Sequence, residues 1–261
     1  MSWSSEAPPQ QFLVFALVFA RMSGLVMTAP VLGAKEVPLR LRALLGFALA
    51  LVIAPTQTAA SGLWTGNGIG FCLAVAGEVM IGVALGVGLM LLLAGMQTAG
   101  QIISQMSGMS LAEVFNPSLD ADVPLFSQLL YFFALAIFVS IGGQRLMMAA
   151  MLDTFATLPA GTASLDNNLA ETLTTLVGQS LSLGVRAAAP AATALLLATL
   201  VLGLIGRTLP QLNVLSFGFG INAVITFAAI SFSLGAIAWA FQEQLEPFVE
   251  QLLTGLNARQ S

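Results

Sequence analysis

The chain has no histidine, and its single cysteine, Cys72, lies inside an apolar run. A Ser-His nucleophile pair is excluded, an intrachain disulfide is impossible, and zinc or haem has no donor set to draw on. Charge is scarce as well. Only 8% of the 261 residues are charged, about a third of the share usual in a soluble domain. The balance is acidic, net −4, which offers nothing to nucleic acid and no polybasic patch to anionic lipid. Carboxylates do not cluster at metal-ligand spacing. Asp120, Asp122, Asp153 and Asp166 fall in or near loops rather than as a pair within apolar spans, so an intramembrane aspartyl protease is not indicated. "GNGIG" at 66–70 lacks the strand-to-helix context of a dinucleotide site. No cofactor, metal or catalytic residue is expected. The start, MSWSSEAPPQQ, has no basic segment ahead of its apolar run, which argues against a cleaved signal peptide; Pro8-Pro9 reads as the start of a helix.

What the chain has in quantity is apolar residue. It is 57% hydrophobic, with a mean hydropathy of +0.93. Apolar runs recur from end to end without strand-like alternation, so the fold class expected is an all-α integral membrane protein, a single domain over 1–261 in contact with lipid. Six hydrophobic regions stand out, near 12–33, 41–54, 69–104, 125–151, 170–206 and 212–241. The second is short for a span of about 20 residues, while the third, fifth and sixth are overlong. Gly184, Arg186 and Pro190 in the fifth, and Gly218 and Gly220 in the sixth, predict bent or split helices there. Lys35, Arg40 and Arg42 form the concentrated basic segment and place that loop in the cytoplasm; six simple crossings then leave both termini outside. The tail, about 242–261, sets Leu245, Phe248, Val249, Leu252 and Leu253 at helical spacing and reads as a short amphipathic helix on the membrane or a partner. No repeat of solenoid period or inverted-halves pattern is visible.

Several polar and small residues interrupt the apolar runs. Glu78 is either a proton or cation carrier or a carboxylate that faces water or pairs with Arg21 or Arg186. Gly82-xxx-Gly86 permits close helix packing. Gln97, Gln101 and Gln105 put a row of amides on one helical face, which should meet water, a pore or a partner. Between the third and fourth regions lies an acidic, proline-bounded island, "GMSLAEVFNPSLDADVPLF" (108–126), that also carries side chains suited to burial. Eight of the 11 methionines fall between Met80 and Met151, around this island. Flexible thioethers suit an adaptable seal and equally an ordinary core.

Four blocks occur in order: "FARMSGLVMTAPVLGAKEVPLRLRALLGFALALVIAP", Gly77-Glu78, "AGQIISQMSGMSLAEVFNP" and "RTLPQLNVLSFGFGIN". Together they resemble the FliR family of flagellar biosynthesis, whose virulence counterparts are the SctT proteins of type III secretion. The resemblance covers essentially the whole chain, and it carries Arg207, Pro210, Gln211 and Asn213 as motif residues. It implies a non-enzymatic subunit of the flagellar protein export gate. That subunit would have a FliP-like first part and a FliQ-like second part, built of bent and broken helical hairpins. Its partners would be FliP and FliQ in a hetero-oligomer, FlhB around it, FlhA nearby, and unfolded substrates in transit through the inner membrane at the basal body. The resemblance also implies that a loop matching about 105–122 plugs the channel, with Met106, Met109, Leu111, Val114, Phe115 and Pro117 as the seal. The chain departs from the family at Asn116, where an acidic residue is common, and at Gly220-Ile221-Asn222, where proline and lysine are common. Two other readings stand beside the gate: a secondary transporter using Glu78 and buried arginines at broken helices, and a scaffold that nucleates the assembly without conducting.

Overall fold

The computed structural model describes residues 8–34, 37–57, 68–108, 124–162, 167–208 and 214–257. Among these residues the chain is α-helical and without strands: α1 (Pro8–Thr28), α2 (Leu39–Ile53) with a 3-10 turn (Ala54–Thr56), α3 (Gly68–Ser107), α4 (Leu125–Ser140), α5 (Gly143–Thr157), α6 (Asn167–Thr208) and α7 (Val214–Asn257). Pro190 and Pro247 lie inside α6 and α7, but five other prolines stand where a missing N–H costs least. Pro8 and Pro9 open α1, Pro38 and Pro124 precede α2 and α4, and Pro55 sits in the turn that ends α2. α1 itself ends in a γ-turn. The Leu32 N–H donates to the Pro30 carbonyl at 2.9 Å, which forces the β-branched Val31 to φ 70.

Among the described residues, five helices are long and apolar enough to cross a membrane, or six if α4 and α5 count as one broken span. The second hydrophobic region, short on sequence, reaches span length because the 3-10 turn extends α2 to an 18-residue apolar stretch, Leu39–Thr56. α3, α6 and α7 run for 40, 42 and 44 residues. At about 1.5 Å per residue each is roughly twice as long as a hydrocarbon core is thick.

The helices are not split at the positions the sequence singles out. α6 continues through Gly184, Arg186 and Pro190, and α7 through Gly218 and Gly220. Gly184 serves packing instead: a Cβ there would stand 2.5 Å from the Gly95 carbonyl oxygen of α3. The split comes in the fourth region, between α4 and α5, where Gly142 takes φ +77, a conformation open to glycine at no steric penalty.

The chain divides into two compact units. One comprises Met1–Leu91, Gly142–Leu176 and Glu246–Ser261; the other comprises Leu92–Ile141 and Val177–Leu245. In the first, Phe47 of α2 packs edge-on against Phe15 and Phe19 of α1, with centroids 5.4 and 6.2 Å apart. Lipid tails are as apolar as leucine, so burial alone does not join helices in a membrane; close backbone approach and interhelical hydrogen bonds do. Glycine supplies the approach. A Cβ on Gly82 would overlap the Arg21 carbonyl oxygen, one on Gly86 the Thr28 hydroxyl, and one on Gly24 would lie 2.5 Å from the Val79 carbonyl oxygen.

The described part of the C-terminal tail from Glu246 onward belongs to this unit too. It is not a separate short helix but the last part of α7, and its apolar face is taken up within the chain. Phe248, Val249 and Leu252 are buried, Leu252 against Gly88, and Gly255 meets Thr172. In the second unit, Gly95 of α3 meets the backbone of Ser180 on α6, and Gly100 meets the backbone of Phe126 and Ser127 on α4. Phe126 in turn packs against Phe227 of α7 at 5.4 Å.

Candidate functional site

The first unit holds a buried ionic node. Arg21 of α1 and Glu78 of α3 are both fully buried, and the Arg21 Nε donates to Glu78 Oε2 at 2.5 Å. The rest of the guanidinium is engaged as well. Nη1 donates to the Thr154 hydroxyl of α5 at 3.2 Å, Nη2 donates to the Leu158 carbonyl at 3.0 Å, and the Phe155 ring lies 4.1 Å from Cζ. The second carboxylate oxygen, Oε1, accepts from the Gly161 N–H at 2.7 Å. That N–H is aimed by a turn: Thr162 N–H donates to the Pro159 carbonyl at 3.1 Å, and Gly161 takes φ +90 at the position where a type II turn needs glycine.

The node thus ties α1, α3 and the end of α5 together with each charge compensated and hydrogen-bonded, the condition under which a buried ion pair is tolerated. Of the arrangements the sequence leaves open for Glu78, the structure has the pairing with Arg21. Both carboxylate oxygens are occupied, which does not favour a carboxylate that picks up and releases a cation. Arg186 is not part of the node. It is exposed on α6, so it is not one of the buried arginines the transporter reading calls for. Sequence reasoning missed Thr154, Leu158 and Gly161; only "PAGT" (159–162), with its Pro and Gly spacing, signals a turn there.

The other candidate residues scatter. In the second unit Gln97 is half-buried on α3, whereas Gln101 and Gln105 are exposed. α3 ends at Ser107, with the Gly108 N–H donating to the Gln105 carbonyl at 3.2 Å. Met106 is half-buried in the last turn of α3. Met109, Leu111, Val114, Phe115 and Pro117 lie outside the described residues, as do Pro210, Gln211 and Asn213. Arg207 is exposed at the end of α6. Among the described residues no group of three His, Cys, Asp or Glu side chains could hold a metal ion.

Comparison with known proteins gives this architecture a context. Residues 12–248 match the model of the family described as bacterial export proteins, family 1. The flagellar biosynthetic protein FliR of Caulobacter vibrioides is 30% identical over 92% of this chain and 96% of its own length. FliR of Escherichia coli K12 is 30% identical over 90% of this chain and 86% of its own, and FliR of Bacillus subtilis is 28% identical over 87% and 88%. Matched from near one end to near the other, and built of helices fit to cross a membrane, the chain belongs to the bacterial export proteins, family 1, the family of the flagellar biosynthetic protein FliR.

Proposed function

We propose that the protein is a non-enzymatic subunit of the flagellar type III export gate in the bacterial inner membrane. There it assembles with FliP and FliQ, with FlhB around the gate and FlhA nearby, and unfolded flagellar proteins leave the cytoplasm through the channel they form. The observation that carries this reading is the match to an export family over residues 12–248. Five helices of span length support a membrane location. The closed carboxylate of Glu78 weighs against a small-ion transporter.

In this reading the segment from about 105 to 122 is the plug, closing the channel through Met106, Met109, Leu111, Val114, Phe115 and Pro117. An acidic, proline-bounded segment is unstable in hydrocarbon but stable in a water-filled lumen. The exposed Gln101 and Gln105 support polar surroundings at the end of α3 that leads into it. Flexible apolar side chains can hold back ions at rest and yield to a passing chain.

Native mass spectrometry of the protein co-expressed with FliP and FliQ, in mild detergent, tests the assembly. One defined hetero-complex is expected; a lone monomer or homodimer that ignores both partners sinks the reading. Deleting residues 108–118 then separates a gate from a scaffold. The deletion should leave the complex intact and raise ion leakage across the membrane. Unchanged conductance in an intact complex would remove the plug role.

A further inference from the structure

Arg186 is an exposed cation in the middle of α6, and among the described residues no hydrogen bond or ion pair engages its guanidinium. Its surroundings along the helix are apolar on both sides. Val177, Leu181 and Val185 precede it and Leu196, Leu197 and Leu200 follow it, all exposed. Beside it, Val185, Ala192, Leu196 and Leu197 line an apolar groove of ≈ 540 Å³ together with Ile102 and Met106 of α3. Thr193 also lines the groove, but its hydroxyl donates to the Pro190 carbonyl at 2.9 Å. Exposed Ala189 and half-buried Ala192, both lining the groove, keep the surface low enough for another helix to approach closely. Pro190 has no N–H, so the Arg186 carbonyl also lacks the donor that residue 190 would supply in a regular helix.

From this we infer that the face of α6 around Arg186 is the docking surface for an apolar helix of a different protein chain, one that carries a carboxylate among its apolar side chains. The carboxylate pairs with Arg186, and the neighbouring apolar groups fill the groove. Charge complementarity selects the anion, and the planar fork of a guanidinium fits a carboxylate in two parallel hydrogen bonds. The pattern along α6 selects a helix over a lipid headgroup. A phosphate at the level of Arg186 would put the membrane–water boundary there and leave one of the two exposed apolar stretches in water. An apolar helix with an embedded acid covers both.

A second copy of this chain does not supply such a helix. Among the described residues, Glu78 is consumed by Arg21, Asp153 and Glu171 lie near helix ends, and Glu243, Glu246 and Glu250 share an exposed polar face of α7 with Gln242 rather than standing among exposed apolar side chains. The inference goes beyond the export-gate reading by fixing a face and a partner chemistry, and it does not depend on what is exported.

The test places a photo-crosslinking amino acid at Ala189 of the full-length chain in its host cells and maps the crosslinked peptide by mass spectrometry. Crosslinks are expected on one apolar helix of another chain that contains an Asp or Glu. Arg186→Glu should lower the yield at least tenfold, Arg186→Gln less, and reversing the partner's acid to Arg should restore the yield in Arg186→Glu. Crosslinks to lipid only, to a second copy, or to a helix without an acid would overturn the inference. So would a yield indifferent to Arg186→Glu. Melting of the isolated chain in detergent should be the same for all three proteins; a drop in both variants would assign Arg186 to this chain's own fold and overturn it too. If the mapped acid-bearing helix belongs to a chain outside any export assembly, the docking surface stands and the export-gate reading falls.

Discussion

Removing the carboxylate of Glu78 exposes what the buried node contributes. In Glu78→Leu, Arg21 remains fully buried with a hydroxyl, a carbonyl and an aromatic face, but with no anion. Breaking a buried ion pair on one side costs about 3–5 kcal/mol, because a charge is left uncompensated away from water. That is a loss of roughly two to three and a half powers of ten in the folded-to-unfolded ratio. Glu78→Gln should fall at the lower end of this range. The amide offers one acceptor oxygen where the carboxylate offers two, so either the Arg21 Nε–H or the Gly161 N–H meets an NH₂ group. The double variant Arg21→Met/Glu78→Leu removes both charges, and the Thr154 hydroxyl keeps its bond to the Met151 carbonyl at 2.7 Å. It should be more stable than Glu78→Leu alone, with a coupling between the two sites of at least about 1 kcal/mol. The assay is reversible unfolding of the parent, these three variants and the Arg21→Met single in a mild detergent, followed by tryptophan fluorescence and helical circular dichroism. A Glu78→Leu protein as stable as the parent, or a double variant whose loss is the sum of the singles, would refute the reasoning.

Gly82→Val drives a side chain into the Arg21 carbonyl and should destabilise by about 2–3 kcal/mol or more in the same assay. Gly235→Ala, which meets nothing within 4 Å, should be neutral or gain up to about 1 kcal/mol from helix propensity. Gly161→Val forces a β-branched residue to φ +90 and pulls the N–H away from Glu78. It should cost about 2 kcal/mol and speed hydrogen exchange at that amide. Val31→Gly relieves the strained γ-turn after α1 and should raise the melting temperature, with a gain on the order of 1 kcal/mol.

Hydropathy alone points to an all-helical membrane protein and places the first five hydrophobic regions close to the helices that form among the described residues, while the sixth stops well short of the end of α7 at Asn257. In lipid a backbone has few ways to satisfy itself, so composition and run length suffice. The ordered motifs are equally legible, and they carry the family. Tertiary structure alone decides that Glu78 meets Arg21, 57 residues away, rather than Arg186, and that a turn 83 residues away completes the carboxylate. It also decides that Gly184 is a crossing point and Gly142 a break, although a one-dimensional reading assigns breakage to the former and nothing to the latter. The tail shows the same limit. Its amphipathic spacing announces a face to be covered, while only packing shows that Gly88 and Thr172 of the same chain cover it. Transfer from water to an apolar medium is a property of each segment by itself. The choice of partner for a buried charge or a bare backbone depends on which segments come within a few ångströms, and no local pattern encodes that.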